Sequence, residues 1–380
     1  MNRWSDLVAL KVCILLIMIT GCQDMKKTND ELSGQIKLIT LDPGHFHAAL
    51  VHKTMYKGVD SLVYIYAPEG PDLKLHLDKI KSFNTRKEQP TAWLLHIYTG
   101  NDFFEKMLEE KKGNVIVLSG NNQKKTEYIL RSIKEGFHVL ADKPMAINKK
   151  DFLLLEEAYA EAQKRNLLLY DIMTERYEIT TILQKELSKM PGIFGSLEKG
   201  SIDDPAVTKE SVHHFFKYVS GDVLTRPAWF FDVDQEGEGM VDVMTHLVDL
   251  IQWECFPDQI IDFKKDIKIN NARHWTTPVA LTEFRKVTGK EEFPGYLLKD
   301  VKNDTILHVY CNGEIRYQLK GMHAMASVRW NYRAPEGGGD THYSVMRGTK
   351  ANLIIRQGEE QQFRPVLYIV PLSDEPAGGT

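Results

Sequence analysis

Three polar residues interrupt an otherwise apolar helical stretch, "GEGMVDVMTHLVDLIQW", between Gly237 and Trp253. Asp242, His246 and Asp249 lie at i, i+4 and i+7, so at 3.6 residues per turn they form one stripe on one helix face. A carboxylate one turn before an imidazole suits proton transfer. Histidine titrates near neutral pH, and a neighbouring carboxylate raises its basicity and can orient its ring. A base of this kind is worth about 10²–10⁴ in rate. The spacing also suits a satisfied polar cluster that fixes packing, or two ligands of a metal ion. No third ligand of suitable spacing is evident, and no metal is expected. Asp249 is expected to bond backbone near its helix and stands outside the catalytic set.

A second chemistry-bearing group is Lys143 in "ADKP", whose ammonium can stabilise developing alkoxide charge. Further upstream, "LDPGHFHAA" joins a strand to a helix, where a dinucleotide fingerprint would carry G-x-G-x-x-G. Only Gly44 survives; Asp42 and His47 stand where the outer glycines would be. Gly44, His45 and Phe46 are the candidate cofactor contacts of this turn. Glu69, just beyond the second strand, is the candidate for a ribose hydroxyl, and a solvated loop carboxylate is the alternative.

These residues need elements to position them. From Gln35 short apolar runs alternate with helical periods: "IKLITL", "SLVYIYA", "AWLLHIYT", "NVIVLSG", "HVLADK" and "LLLYD" read as six strands. Helices are expected in "FHAALVHKTM", "FFEKMLEEKKG", "KKTEYILRSIKEG" and "KKDFLLLEEAYAEAQKR", the last capped by Asn148. Such alternation implies a parallel, doubly wound α/β domain over residues 36–171. After it, turns such as Asn312-Gly313 and Gly337-Gly338-Gly339 separate strand-like runs. Residues 172–380 are therefore expected to form an α+β domain with a mostly antiparallel sheet.

The segment "VIVLSGNNQKKTEYILRSIKEGFHVLADKPMAI" resembles the glucose–fructose oxidoreductase / inositol dehydrogenase (Gfo/Idh/MocA) family along its whole length. Asn121 or Asn122 occupies the turn after the fourth strand, and Asp142-Lys143-Pro144 replaces the family's Glu-Lys-Pro. "LLLYDIMTERYE", "GIFGSLE" and the stretch from Arg226 to Trp253 extend the likeness over roughly residues 36–255. Glu238 departs from the pattern, standing where a glycine is common. The resemblance implies bound NAD or NADP, tightly held, with Asn121, Asn122, Lys143 and Pro144 joining the cofactor contacts. It also implies a catalytic set of Lys143, Asp242 and His246, in which His246 takes the proton of a secondary alcohol as its hydride leaves. The activity implied is NAD(P)-dependent oxidation of a sugar, glycoside or cyclitol. Two alternatives stay open: NAD-dependent glycoside cleavage through transient oxidation and elimination, and a non-catalytic carbohydrate-binding protein on the same scaffold. Arg176, His213, Trp229 and Tyr343 are candidate sugar contacts, with His214 and His342 beside them; packing or exposure is the commoner fate of such residues.

Lys plus Arg number 48 against 52 for Asp plus Glu, so no basic surplus points to nucleic acid. Residues 1–22 carry Arg3 and Lys11, a short apolar run and Ile19-Thr20-Gly21-Cys22, which resembles a lipoprotein signal with Cys22 as the lipidation site. A polar tether over residues 23–35 would follow. Export to the periplasmic or cell-surface side of a bacterial membrane is therefore expected, with lipid as the only membrane contact. The folded part keeps Cys255 and Cys311, whose pairing the sequence leaves open. Association into a homo-oligomer through the second domain's sheet is a further expectation.

Overall fold

The structure is a computed structural model that describes residues 36–219 and 222–372. The lipidation, signal and tether expectations fall outside those residues. Two compact units divide the chain. One comprises the described residues up to Gly120, with Glu127–Asp142 and Glu156–Tyr170; the other comprises Asn121–Thr126, Lys143–Leu155 and the residues from Asp171 onward.

The first unit is built on a six-stranded parallel sheet. Its strands are β1 (Leu38–Leu41), β2 (Leu62–Tyr66), β3 (Leu94–Tyr98), β4 (Val115–Leu118), β5 (His138–Asp142) and β6 (Leu169–Ile172), in the order β3-β2-β1-β4-β5-β6. Helices α1 (His47–Val51), α2 (Pro71–Thr85), α3 (Phe103–Glu110), α4 (Lys125–Lys134) and α5 (Lys149–Arg165) connect them. The central strands "LITL" and "VIVL" are continuous apolar runs because helices cover both faces of such a sheet. Outward strand order from a central switch point is the dinucleotide-binding arrangement. Asn148 caps α5 as expected, its side-chain oxygen accepting from the Asp151 amide at 3.0 Å. Helix α2 escaped the sequence reading, although Pro71 at its first turn, just after Gly70, is a start signal.

The second unit carries α6 (Ile179–Ser188), β7 (Val207–Phe216), a two-residue pair β8 (Tyr218–Val219) and β9 (Asp222–Val223), and α7 (Val243–Cys255). Then follow β10 (Ile267–Ala280), α8 (Leu281–Thr288), β11 (Val301–Lys302), β12 (Ile306–Leu319), β13 (Met322–Arg333), β14 (Thr341–Arg347), β15 (Ala351–Gln357) and β16 (Val366–Pro371). Its large sheet runs β10-β12-β13-β7-β14-β15-β16, with β11 beside β12. Neighbours pair antiparallel except β7 with β13, which is parallel. Helix α7 lies against β7 and β13, and Phe215, Phe231, Met244, Leu247, Ile251 and Val328 form part of the core.

Asn312-Gly313 is not a turn, contrary to the sequence reading. Both residues lie inside the unbroken β12, and the chain reverses at Lys320-Gly321 instead. Gly313 is there for close approach: a Cβ on it would fall 2.2 Å from Cγ of Met240. Gly239 is tighter still, since its Cβ would sit 1.8 Å from the Cys311 carbonyl oxygen. The loop before α7 thus presses on β12, and the Gly239 amide donates to the Tyr310 carbonyl at 3.1 Å. That contact fixes where α7 begins. Cys255 and Cys311 are both free thiols.

Candidate active site

Asp242 is the N-cap of α7, yet its side chain makes no cap hydrogen bond. An N-cap carboxylate ordinarily accepts from a first-turn amide. Here it accepts from Lys143 Nζ, in an ion pair whose two side chains are 7% and 9% exposed. His246 is buried one turn further along the same helix. Lys143, Asp242 and His246 are therefore all carried by the second unit, and two of them are in direct contact. Asp242 also borders a small cavity lined by Phe215, Phe230, Trp330, Tyr310 and Glu236. A wider cleft of about 550 Å³, lined by Arg273, Trp275, Asn312, Arg329 and Asn331 among others, contains none of the three.

Around that cavity lie groups the sequence reading passed over. Arg226 lies over the rings of Phe230 and Trp330, 4.6 and 5.0 Å from their centroids. Burial lowers its guanidinium to about 10, against the opposing pull of Asp242, Asp340 and Glu236. It stays cationic at neutral pH, so Asp242 has a second positive charge nearby. Asp340, just after the Gly337–Gly339 turn, gathers three partners. His214 Nδ1 lies 3.1 Å, His213 Nδ1 3.3 Å and Lys217 Nζ 2.5 Å from its oxygens. Burial pushes the Asp340 carboxyl up, but its hydrogen bonds with both histidines and the charges of His213 and Lys217 outweigh this and hold it well below the usual carboxylate range. A signal was present in the His213-His214 pair, but nothing in the sequence linked it to a residue more than 120 positions away.

The remaining candidates in this unit are dispersed. His213 also meets Ser211 Oγ at 2.6 Å and lies 5.0 Å, ring to ring, from Trp330. Arg176 forms a two-point ion pair with Asp249. Asp249 therefore bonds a guanidinium and not backbone, a correction that follows from the turn Glu175–Tyr177 packing beside α7. Trp229 lies in the short helix Ala228–Phe231, and Tyr343 on β14 opposite Glu210. Glu238 meets His274 Nδ1 at 2.6 Å. The Asn121 side chain donates to Gln235 Oε1 at 2.8 Å, and that of Asn122 donates to the Glu236 carbonyl at 2.8 Å. Both asparagines thus brace the 232–237 loop that leads into α7.

In the first unit, Gly44, His45 and Phe46 follow β1 and the exposed Glu69 follows β2, at the C-terminal edge of adjacent parallel strands. Asp42 has φ 45°, so the backbone keeps the left-handed conformation for which the fingerprint uses its first glycine. The Gly44 and His45 amides both donate to the Ser119 carbonyl, at 3.0 and 3.2 Å. This turn therefore closes on β4, and a Cβ on Gly120 would fall 2.2 Å from the Asp42 carbonyl oxygen.

Residues 183–379 match the sequence profile of the family described as "Putative oxidoreductase C terminal domain". A solved "putative oxidoreductase" from Parabacteroides merdae is 58% identical, with 90% of this chain and 78% of that one covered at a TM-score of 0.87. An oxidoreductase structure from Thermotoga maritima, also described as putative, is 16% identical over 90% of this chain and 86% of that one, TM-score 0.55. Levoglucosan dehydrogenase, solved with NADH and levoglucosan, is 14% identical over 89% and 77%, TM-score 0.55. No curated protein matches the sequence. With its Rossmann-type sheet, its antiparallel second sheet and this level of likeness, the chain belongs to the Gfo/Idh/MocA-type oxidoreductases that carry this C-terminal domain.

Proposed function

We propose that this oxidoreductase uses NAD or NADP to oxidise a secondary hydroxyl of a sugar, glycoside or cyclitol, with Lys143, Asp242 and His246 as its catalytic residues. The observation that carries the reading is the buried Lys143–Asp242 ion pair, a turn before a buried His246 and beside an aromatic-walled cavity. That cavity measures only about 10 Å³, room for no more than a water, so the support for a sugar comes from the aromatic faces and fixed polar groups that line it, the chemistry that suits a sugar ring. The likeness to a levoglucosan dehydrogenase solved with its sugar and NADH supports the same class of substrate.

The strand order, the left-handed backbone at Asp42 and the carboxylate of Glu69 after β2 fit a dinucleotide on the first unit, held by Gly44, His45, Phe46 and Glu69. Bound there, a nicotinamide would supply the hydride acceptor. The protein's own contribution is to the proton. His246 takes it from the substrate hydroxyl, the Lys143 ammonium stabilises the alkoxide as it forms, and Asp242 holds that ammonium in place. The alcohol loses one hydride and one proton and becomes a ketone.

Denaturing the purified protein and identifying the released nucleotide tests the cofactor. Incubating it with a panel of sugars and glycosides tests the reaction, and the product separates the two enzymatic readings. A keto sugar supports the dehydrogenase, whereas free sugar released without net NAD reduction supports oxidation-assisted cleavage. Sugar binding without nucleotide affinity would overturn both in favour of a binding protein. We also propose lipidation at Cys22 and export; with Cys22→Ala, incorporation of labelled fatty acid should vanish. The edge strand β16 exposes Tyr368, Ile369 and Val370, which supports self-association through this sheet, measurable by light scattering.

A further inference from the structure

Three side chains at one end of the first unit's sheet converge on one point, and of them only His45 is also a proposed dinucleotide contact. His45 and His47 come from the turn after β1, and Asp142 is the last residue of β5. His45 Nδ1 lies 3.0 Å and His47 Nδ1 3.4 Å from the same carboxylate oxygen, Asp142 Oδ2. The three ligand atoms all fall within 4.8 Å of one another. Ligands about 2.0–2.1 Å from a tetrahedral ion stand roughly 3.3 Å apart, so the two separations from Asp142 Oδ2 suit ligands of one ion. The 3.0 Å contact of His45 with Asp142 is also a hydrogen bond, and Asp142 Oδ2 accepts the Ser119 hydroxyl at 2.8 Å, so a hydrogen-bonded cluster is the alternative that the test below separates from a metal site. Asp142 is 1% exposed, so a cation would also neutralise a carboxylate held away from water.

We propose that His45, His47 and Asp142 bind one divalent transition-metal ion, with zinc(II) the best match to two imidazoles and a carboxylate. The His45 side chain, 31% exposed, gives the ion a route in. Three protein ligands leave a fourth position open for water or an anionic oxygen. Ser119 fixes the orientation of Asp142, as hydrogen-bonded partners of metal ligands commonly do. Because His45 is also a proposed dinucleotide contact, ion and dinucleotide would share that side chain, and metal binding is therefore measured without added nucleotide.

The test uses the full folded chain. After treatment with chelator, zinc(II) is returned in slight excess, free ion is removed by gel filtration, and bound metal is measured by mass spectrometry. Cobalt(II) titration followed by visible absorption gives the affinity and reports the coordination. The wild type should retain about one zinc per chain. His45→Ala should weaken binding by roughly 100-fold or more, and Ser119→Ala by roughly 10–100-fold, the range for an outer hydrogen-bonding partner. Circular dichroism checks folding of each variant; if His45→Ala does not fold, Ser119→Ala and the wild type still decide. Folded wild type that retains no zinc overturns the proposal, as do folded variants that bind zinc as tightly as the wild type.

Discussion

Replacing Lys143 by Met removes the ammonium from the buried pair and leaves the Asp242 carboxylate, 6% exposed, without its closest cation. Breaking a buried pair by deleting one partner costs about 3–5 kcal/mol, because the desolvated charge left behind loses its compensation. Arg226, whose charge also reaches Asp242, should hold the cost toward the lower end. For a domain of this size 1 kcal/mol lowers the melting temperature by about 2–4 °C, so the expected drop is roughly 6–12 °C. Removing both charges, as Lys143→Met with Asp242→Leu, should recover much of the loss, since well-packed apolar pairs often match buried ion pairs in stability. The assay is a double-mutant cycle by thermal and urea unfolding, read as the coupling between the two sites. A single Lys143→Met cost under about 1 kcal/mol, or a double variant no more stable than the single, would mean that the buried pair does not hold Asp242 as described.

Other expectations concern pH, the Asp340 cluster and α7. Burial lowers His76 to about 3 and His52 to about 4, so the unfolded chain binds protons there that the folded one does not. Stability should therefore be full above about pH 6.5 and fall as pH drops towards those values, by about 1.4 kcal/mol per pH unit per site. His76→Leu should flatten the acid limb by one such slope, and unchanged slopes by urea unfolding at pH 6.5 and 4.5 would count against it. Asp340→Asn removes the charge shared by His213, His214 and Lys217. If His213 contacts the sugar, KM should rise with little change in kcat, and a pure stability loss would assign the cluster to packing. Arg176→Met should cost about 1–3 kcal/mol by leaving the part-buried Asp249 unpaired, visible as a lower urea midpoint.

The first unit was legible because a covered parallel sheet writes itself as apolar runs such as "LITL" and "VIVL", separated by helical periods. The catalytic candidates were legible for a different reason: Asp242 and His246 sit four apart on one helix, and spacing is what a sequence displays. The pairing of Lys143 with Asp242 spans 99 residues and no local pattern encodes it. Asn312-Gly313 misled because an Asn-Gly pair has two uses. It favours tight turns, but in β12 the missing Cβ makes room for Met240. Strand β10 was missed since its residues are half exposed and mixed in character, leaving little alternation to read. Asp340 was invisible because it lies in the loop before β14 and its role comes from two histidines on β7.

In the proposed reaction His246 moves the proton of the alcohol being oxidised. Turnover and melting temperature measured on the same His246→Ala sample, with keto-sugar formation as the readout, decide whether it does. Turnover should fall by about 10²–10⁴, with folding and bound nucleotide largely retained. A steep loss of melting temperature, with normal specific activity in the protein that remains folded, would contradict it.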